Sequence, residues 1–141
     1  MNVKRAVTAG VIGTAAMTIL MLMAPLMGMP PMNIGGMLGG FLGVGEPAGW
    51  AMHVVIGVVL ALGYALVLAA RLPSPTALGG ATYGFLVFLM AQLVVMPMMG
   101  AGVFSGGHVG MIAGSLMGHL VYGTLVGVVY GAAPRILERT A

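Results

Sequence analysis

The chain predicts an all-α fold: an integral-membrane four-helix bundle built from two parallel two-helix repeats, with N and C termini cytoplasmic. Three observations predict it. Hydrophobic residues make up 60% of the 141 residues and charged residues only 5%, whereas a soluble domain carries about 25% charged residues. Four apolar stretches, at about 6–29, 50–70, 78–99 and 111–133, each reach the roughly 18 residues that mark a membrane span. The cations lie outside these stretches, in positions that alternate with membrane crossings. The expectation is a single transmembrane domain over 1–141, with repeat one at about 6–70 and repeat two at about 78–133.

The net charge of +3 does not point to nucleic acid, because its placement is topological. Lys4 and Arg5 precede the first span, Arg71 separates the second and third, and Arg135 and Arg139 follow the fourth. With four crossings all five fall on one side, which the positive-inside rule makes cytoplasmic. The chain is therefore expected in the bacterial inner membrane as a multi-pass protein. The lipid bilayer is its first partner, with other membrane subunits or a second copy beyond it, and no soluble substrate is implied. Cysteine is absent, which removes disulfides and thiolate sites. The basic start followed by an apolar run is longer than a signal peptide's core, and no small-residue cleavage site follows it.

Taken in order, the first span carries Gly13-Thr14 and ends at Pro25-Leu26-Met27-Gly28. The segment 28–49 is too apolar for a solvated loop. Asn33 can cap a short helix there, with Ile34, Leu38, Phe41 and Leu42 on one face and Gly35, Gly39 and Gly43 on another stripe. This reads as an interfacial or partly re-entrant element. Glu46-Pro47 suits the first turn of the second span, where proline is tolerated and an acid meets the positive helix end. Arg71-Leu72-Pro73-Ser74-Pro75 is a stiff connector. The third span repeats a glycine near its start, Gly84, and ends at Pro97-Met98-Met99-Gly100. Gly39, Gly40 and Gly43 of the first outer segment are echoed by Gly106, Gly107 and Gly110 of the second. Two spans per copy make the copies parallel. His108, in that second Gly-rich outer segment, has no counterpart in the first copy and reads as a solvated loop residue.

The second and fourth spans share the series His-x3-Gly-x6-Tyr: His53, Gly57 and Tyr64 against His119, Gly123 and Tyr130. An ionisable ring inside a membrane usually faces the bundle interior and has a partner. Four residues before each histidine lie Gly49 and Ser115, so small residues flank both rings on one helix face. One reading is helix association: small residues form packing stripes, and each histidine bonds Thr14, Thr18, Gln92 or a backbone carbonyl. The other is a cofactor between the rings, since imidazole is the commonest protein metal ligand and glycines keep the neighbouring turns clear. His53, His119 and their glycines resemble the b-type cytochromes, whose bundle takes haem ligands from its second and fourth helices. That resemblance implies one haem b with His53 and His119 as axial ligands, and Gly49, Gly57, Ser115 and Gly123 around it. Such a protein would be a small subunit of a bacterial respiratory or electron-transfer complex, a redox carrier rather than an enzyme.

Two alternatives stand beside it. A cofactor-free structural or assembly subunit needs only the packing stripes. A copper-handling protein would use the methionines, of which there are 15, because thioethers prefer Cu(I). Met27, Met29 and Met32 gather at one outer helix end and Met96, Met98 and Met99 at another. The spacing of Met17 and Met21 resembles the Met motif of copper-permeating channels. Methionine also fills gaps in apolar cores. Other chemistry is poorly provided for: Glu46 and Glu138 lie at opposite faces and form no acid–base pair, and the glycine strings lack a P-loop lysine. Gly13-Thr14 and Gly118-His119-x2-Tyr122-Gly123 resemble an uncharacterised class of small bacterial four-helix membrane proteins, which implies the fold and no settled activity.

Overall fold

A computed structural model of the chain describes residues 1–71 and 76–131. The prolines of the 71–75 connector, the last residues expected in the fourth span (132–133), and Arg135, Glu138 and Arg139 lie outside the described residues. Four apolar helices, Val3–Met27, Glu46–Leu68, Ala77–Met98 and Val109–Gly131, are each long enough to cross a membrane. They are named here the first to fourth spans.

Local chemistry sets where each begins and ends. The Asn2 side chain accepts from the Arg5 amide at 3.1 Å and opens the first span, as N-caps do. Thr76 opens the third in the same way, accepting from the Gly79 amide at 3.0 Å. The two proline-containing ends share one stop. Gly28 (φ 77°) and Gly100 (φ 80°) are left-handed, and each donates to the proline carbonyl three residues back, at 3.1 and 3.0 Å. The next amide then reaches back five residues, Met29 to Ala24 at 3.1 Å and Ala101 to Met96 at 2.9 Å. Glycine at the left-handed position satisfies carbonyls that a proline-containing last turn leaves free. The outer segments then diverge. After Gly28 comes a nine-residue helix, Ile34–Leu42, capped by Asn33 on the Gly36 amide at 2.8 Å. After Gly100 comes a tight turn over Val103–Gly107 in which Phe104 and Ser105 themselves take positive φ (48° and 51°).

Around the bundle the order is second span, first, fourth, third. The ring closes where a π-helical turn of the second span, Tyr64–Leu68, meets the third. The second and fourth spans are therefore diagonal. The seams depend on glycine. A β-carbon on Gly80 or Gly84 would strike the backbone of the fourth span at His119, Gly123 or Gly127. One on Gly10 would strike the second span at Val58, 2.8 Å away. Without a hydrophobic drive between helices in lipid, such backbone approach is what gains packing contact. The Ala9, Met17, Met21, Ala61, Tyr64, Tyr122 and Val126 side chains form the core.

Lys4, Arg5 and Arg71 sit at one end of the bundle, called here the basic face. There the Asn2 amide donates to Tyr130 Oη at 3.2 Å, and an Arg5 Nη donates to the Val129 carbonyl at 3.4 Å. The N-terminus is thus fastened to the end of the fourth span. The short helix caps the opposite, outer end.

Candidate functional site

The site lies between the spans, under the short helix. Antiparallel connection sends the second and fourth spans in the same direction, outer face to basic face, so His53 and His119 enter the bundle from the same side. Both rings line one cavity of about 140 Å³. Thr14, Met17 and Met21 enclose it from the first span, Met90 and Met96 from the third with Met99 just beyond its end, and Ser115 and Tyr122 from the fourth. Met32, Ile34 and Leu38 of the short helix region close its outer end. It also runs between the second and third spans, past Ile56 and Val95, which line a second hollow together with Phe41, Met52 and Met98. Ile56 and Met52 are exposed on the bundle's outside, so this edge faces lipid.

His119 is held in a defined state. Its Nδ1 lies 2.7 Å from the carbonyl of Ser115, one turn back, and 3.4 Å from that residue's Oγ. A carbonyl only accepts, so in the neutral ring Nδ1 carries the proton and Nε2 keeps its lone pair. A buried relay stands behind this contact. Ser105 Oγ donates to Gln92 Oε1 at 2.9 Å, and Gln92 Nε2 donates to Ser115 Oγ at 2.9 Å. Gln92 is fully buried and sits in a π-helical turn, Ala91–Val95, a feature frequent at functional sites. The left-handed turn at Phe104–Gly106 is what brings Ser105 to it. Phe88 meets the His119 ring edge-on at 6.1 Å.

His53 lacks such a relay. Its Nε2 is buried without a hydrogen-bond partner, and so is Thr14 Oγ1 on the facing first span. Trp50 packs edge-on against its ring at 6.1 Å between centroids. The same Trp50 donates to Glu46 Oε1 at 3.2 Å, which also accepts from Asn33 Nδ2 at 3.0 Å. One carboxylate thereby ties the short helix to the start of the second span.

Below the cavity the bundle is shut. Tyr122 Oη donates to the Gly57 carbonyl at 2.6 Å and Tyr83 Oη to the Leu60 carbonyl at 2.7 Å. Tyr64 packs at a tilt against Tyr83 and edge-on against Tyr130, with ring centroids 5.3 and 6.2 Å apart. All four tyrosines of the chain lie on the basic side of the histidines.

The glycines expected to clear a cofactor face are points of close approach. Gly49 abuts the backbone of Gly35 and Gly39, Gly57 abuts the Thr14 side chain, and Gly123 abuts Gly80 and Gly84. Each is used for helix approach, and of the three only Gly57 also borders the cavity. Ser115 does line it. The methionine set divides as well: Met32, Met96 and Met99 join the cavity, Met27 and Met98 are exposed, and Met29 lies beside Gly114. Met17 and Met21, whose spacing resembles the copper-channel motif, and Thr14, expected as a histidine partner, line the cavity, as does Met90, which carries no sequence signal. The signal for the first two was their i, i+4 spacing, which puts both on one helix face. His108 is exposed.

The cavity's volume of about 140 Å³ is close to the ~150 Å³ that accommodates a single benzene. No group of three or more His, Cys, Asp or Glu side chains gathers among the described residues. Two imidazoles, several thioethers and the hydroxyls of Thr14, Ser115 and Tyr122 are what the site offers.

Fold and site together define a multi-pass helical membrane protein with a histidine-bearing cavity between its spans. The chain belongs to a family of unknown function, DUF6789, whose model matches residues 1–140. No curated protein and no solved structure matches it.

Proposed function

We propose that the chain is a small subunit of an electron-transfer membrane that holds one guest between the imidazoles of His53 and His119. One observation carries this reading: two residues that line an apolar cavity carry buried polar atoms without protein partners. His53 Nε2 and Thr14 Oγ1 have none, and both residues line the same cavity as His119, whose Nε2 keeps its lone pair. An unsatisfied buried polar group costs about 1–3 kcal/mol. A bundle that served packing alone would be more stable with apolar residues there. A guest that bonds these atoms accounts for them.

The test is native mass spectrometry of the full chain purified from its own membrane in mild detergent, with a reduced-minus-oxidised spectrum alongside. The expected result is a mass increment that the His53→Ala/His119→Ala double variant lacks. A bare mass for the wild-type chain, with the double variant still joining its membrane partners, would establish a cofactor-free scaffold instead. A haem spectrum would return the macrocycle as the guest.

A further inference from the structure

We propose that the guest is a single cuprous ion, held by the imidazoles of His53 and His119 together with thioethers on the cavity wall. This inference rests on the cavity being a guest site, and it names the guest.

The donor set selects the ion. Met17 and Met21 come from the first span and Met96 and Met99 from the end of the third and the residue after it, all lining the cavity that both histidines line. Met17, Met21 and Met96 are buried, at 7%, 4% and 6% exposure. Thioether sulfur is soft and prefers Cu(I), whereas hard cations require oxygen ligands. Charge leads to the same ion. No carboxylate lines the cavity, so a divalent cation would keep its whole charge in a low-dielectric space. A monocation among neutral ligands leaves a single charge there, and the cost of burying charge rises steeply with its size.

His119 is prepared as a metal ligand. Metal-binding histidines characteristically donate their other ring N–H to a carboxylate, a carbonyl or water, which fixes the tautomer and raises ligand basicity. The 2.7 Å contact from Nδ1 to the Ser115 carbonyl does this. The Ser105–Gln92–Ser115 relay holds the turn that supplies the carbonyl. On the other side, His53 lines the same cavity, and its Nε2 has no hydrogen-bond partner. The space exceeds a bare ion, and methionine is the residue able to close it, being unbranched with three rotatable bonds. With the tyrosines shutting the basic side, the ion enters from the outer end or between the second and third spans.

The test is competition for Cu(I) between the purified full chain, in detergent under anaerobic reducing conditions, and the chromogenic chelator bicinchoninate. One equivalent per chain is expected. The Met96→Leu/Met99→Leu double variant keeps volume and apolarity while removing two sulfurs, and it should bind about tenfold more weakly or worse, as should His119→Ala. Met27→Leu/Met98→Leu, outside the cavity, should bind like the wild type. The copper assignment is overturned if the chain takes no Cu(I) from the chelator, or if the Met96/Met99 variant binds as tightly as the wild type. A histidine-dependent increment of some other mass, without Cu(I) binding, would overturn copper and leave the guest site standing. Absence of any increment together with absence of Cu(I) binding would overturn both.

Discussion

Tyr122 donates to the Gly57 carbonyl across the diagonal of the bundle at 2.6 Å. Tyr122 follows His119 by three residues and Gly57 follows His53 by four, so this bond ties the two histidine helices one turn below the rings. Gly57 leaves room for Thr14 on its other side, which is how the first span can pack close while the diagonal pair stays joined. The bond therefore sets the floor of the cavity and the separation of its two walls. Tyr122→Phe should lower thermal stability in detergent by about 1 kcal/mol, the net worth of a typical hydrogen bond. It should also weaken whatever the histidines bind. Unfolding followed by circular dichroism checks the first effect and guest retention the second.

Tyr64 provides the opposite case. Its side chain is fully buried, it packs against two other tyrosines, and its hydroxyl has no partner. Removing an unsatisfied buried hydroxyl while keeping the ring relieves a penalty of about 1–3 kcal/mol. Tyr64→Phe is expected to unfold at the same temperature as the wild type or higher, with guest binding unchanged. A clear drop in melting temperature would show that the hydroxyl is bonded in the membrane.

The glycine seams make a sharp contrast testable. Gly123→Ala would drive a methyl into the Gly80 and Gly84 backbone, and backbone cannot move aside as a side-chain tip can. Loss of the native fold is expected, seen as failure to survive detergent extraction as a monodisperse species. Gly40, in the middle of the short helix, has nothing within 4 Å of its would-be β-carbon and no positive φ. Gly40→Ala should be neutral or stabilising by about 0.4–1 kcal/mol through the unfolded state.

Those two glycines also show where sequence reading stops. Hydropathy alone locates all four spans, because a membrane helix announces itself by length and apolarity. Asn33, Glu46-Pro47 and the Pro-x-Met-Gly ends were legible too, since caps and stops act over four or five residues. The partners of Gly49, Gly57 and Gly123 were not. An ideal-helix projection puts these glycines on the histidine face, but whether that space admits a cofactor or another backbone depends on helices distant in sequence. The π-helical turns at Tyr64–Leu68 and Ala91–Val95 rotate the residues beyond them, and no proline or glycine inside them signals it. Gln92 was visible as an amide in an apolar span and as a partner for a histidine. The structure places it one step further back, bonded to Ser115. Nothing in the sequence joins the methionine set to the histidine set, and only the order of the bundle brings part of each to one cavity.

Glu46 bears on access. Its carboxylate accepts from Asn33 and Trp50, joining the cap of the short helix to the ring that packs on His53. Gly35 brings that helix directly against Trp50, and Ile34 and Leu38 cover the cavity's outer end. Glu46→Ala removes both hydrogen bonds without touching the cavity lining. The short helix should then exchange its amide hydrogens at least about tenfold faster, corresponding to a loss of roughly 1.4 kcal/mol in local opening, while the spans keep their protection. Guest release should accelerate with little change in the spans' unfolding temperature. Hydrogen exchange read by mass spectrometry distinguishes this from general destabilisation, which would raise exchange in the second span as well. Glu46→Gln retains one acceptor oxygen and should fall between the two. If Glu46→Ala leaves the exchange of Ile34–Leu42 unchanged, the Gly35/Gly39 seam with Gly49 holds the cap by itself, and the carboxylate has no part in closing the site.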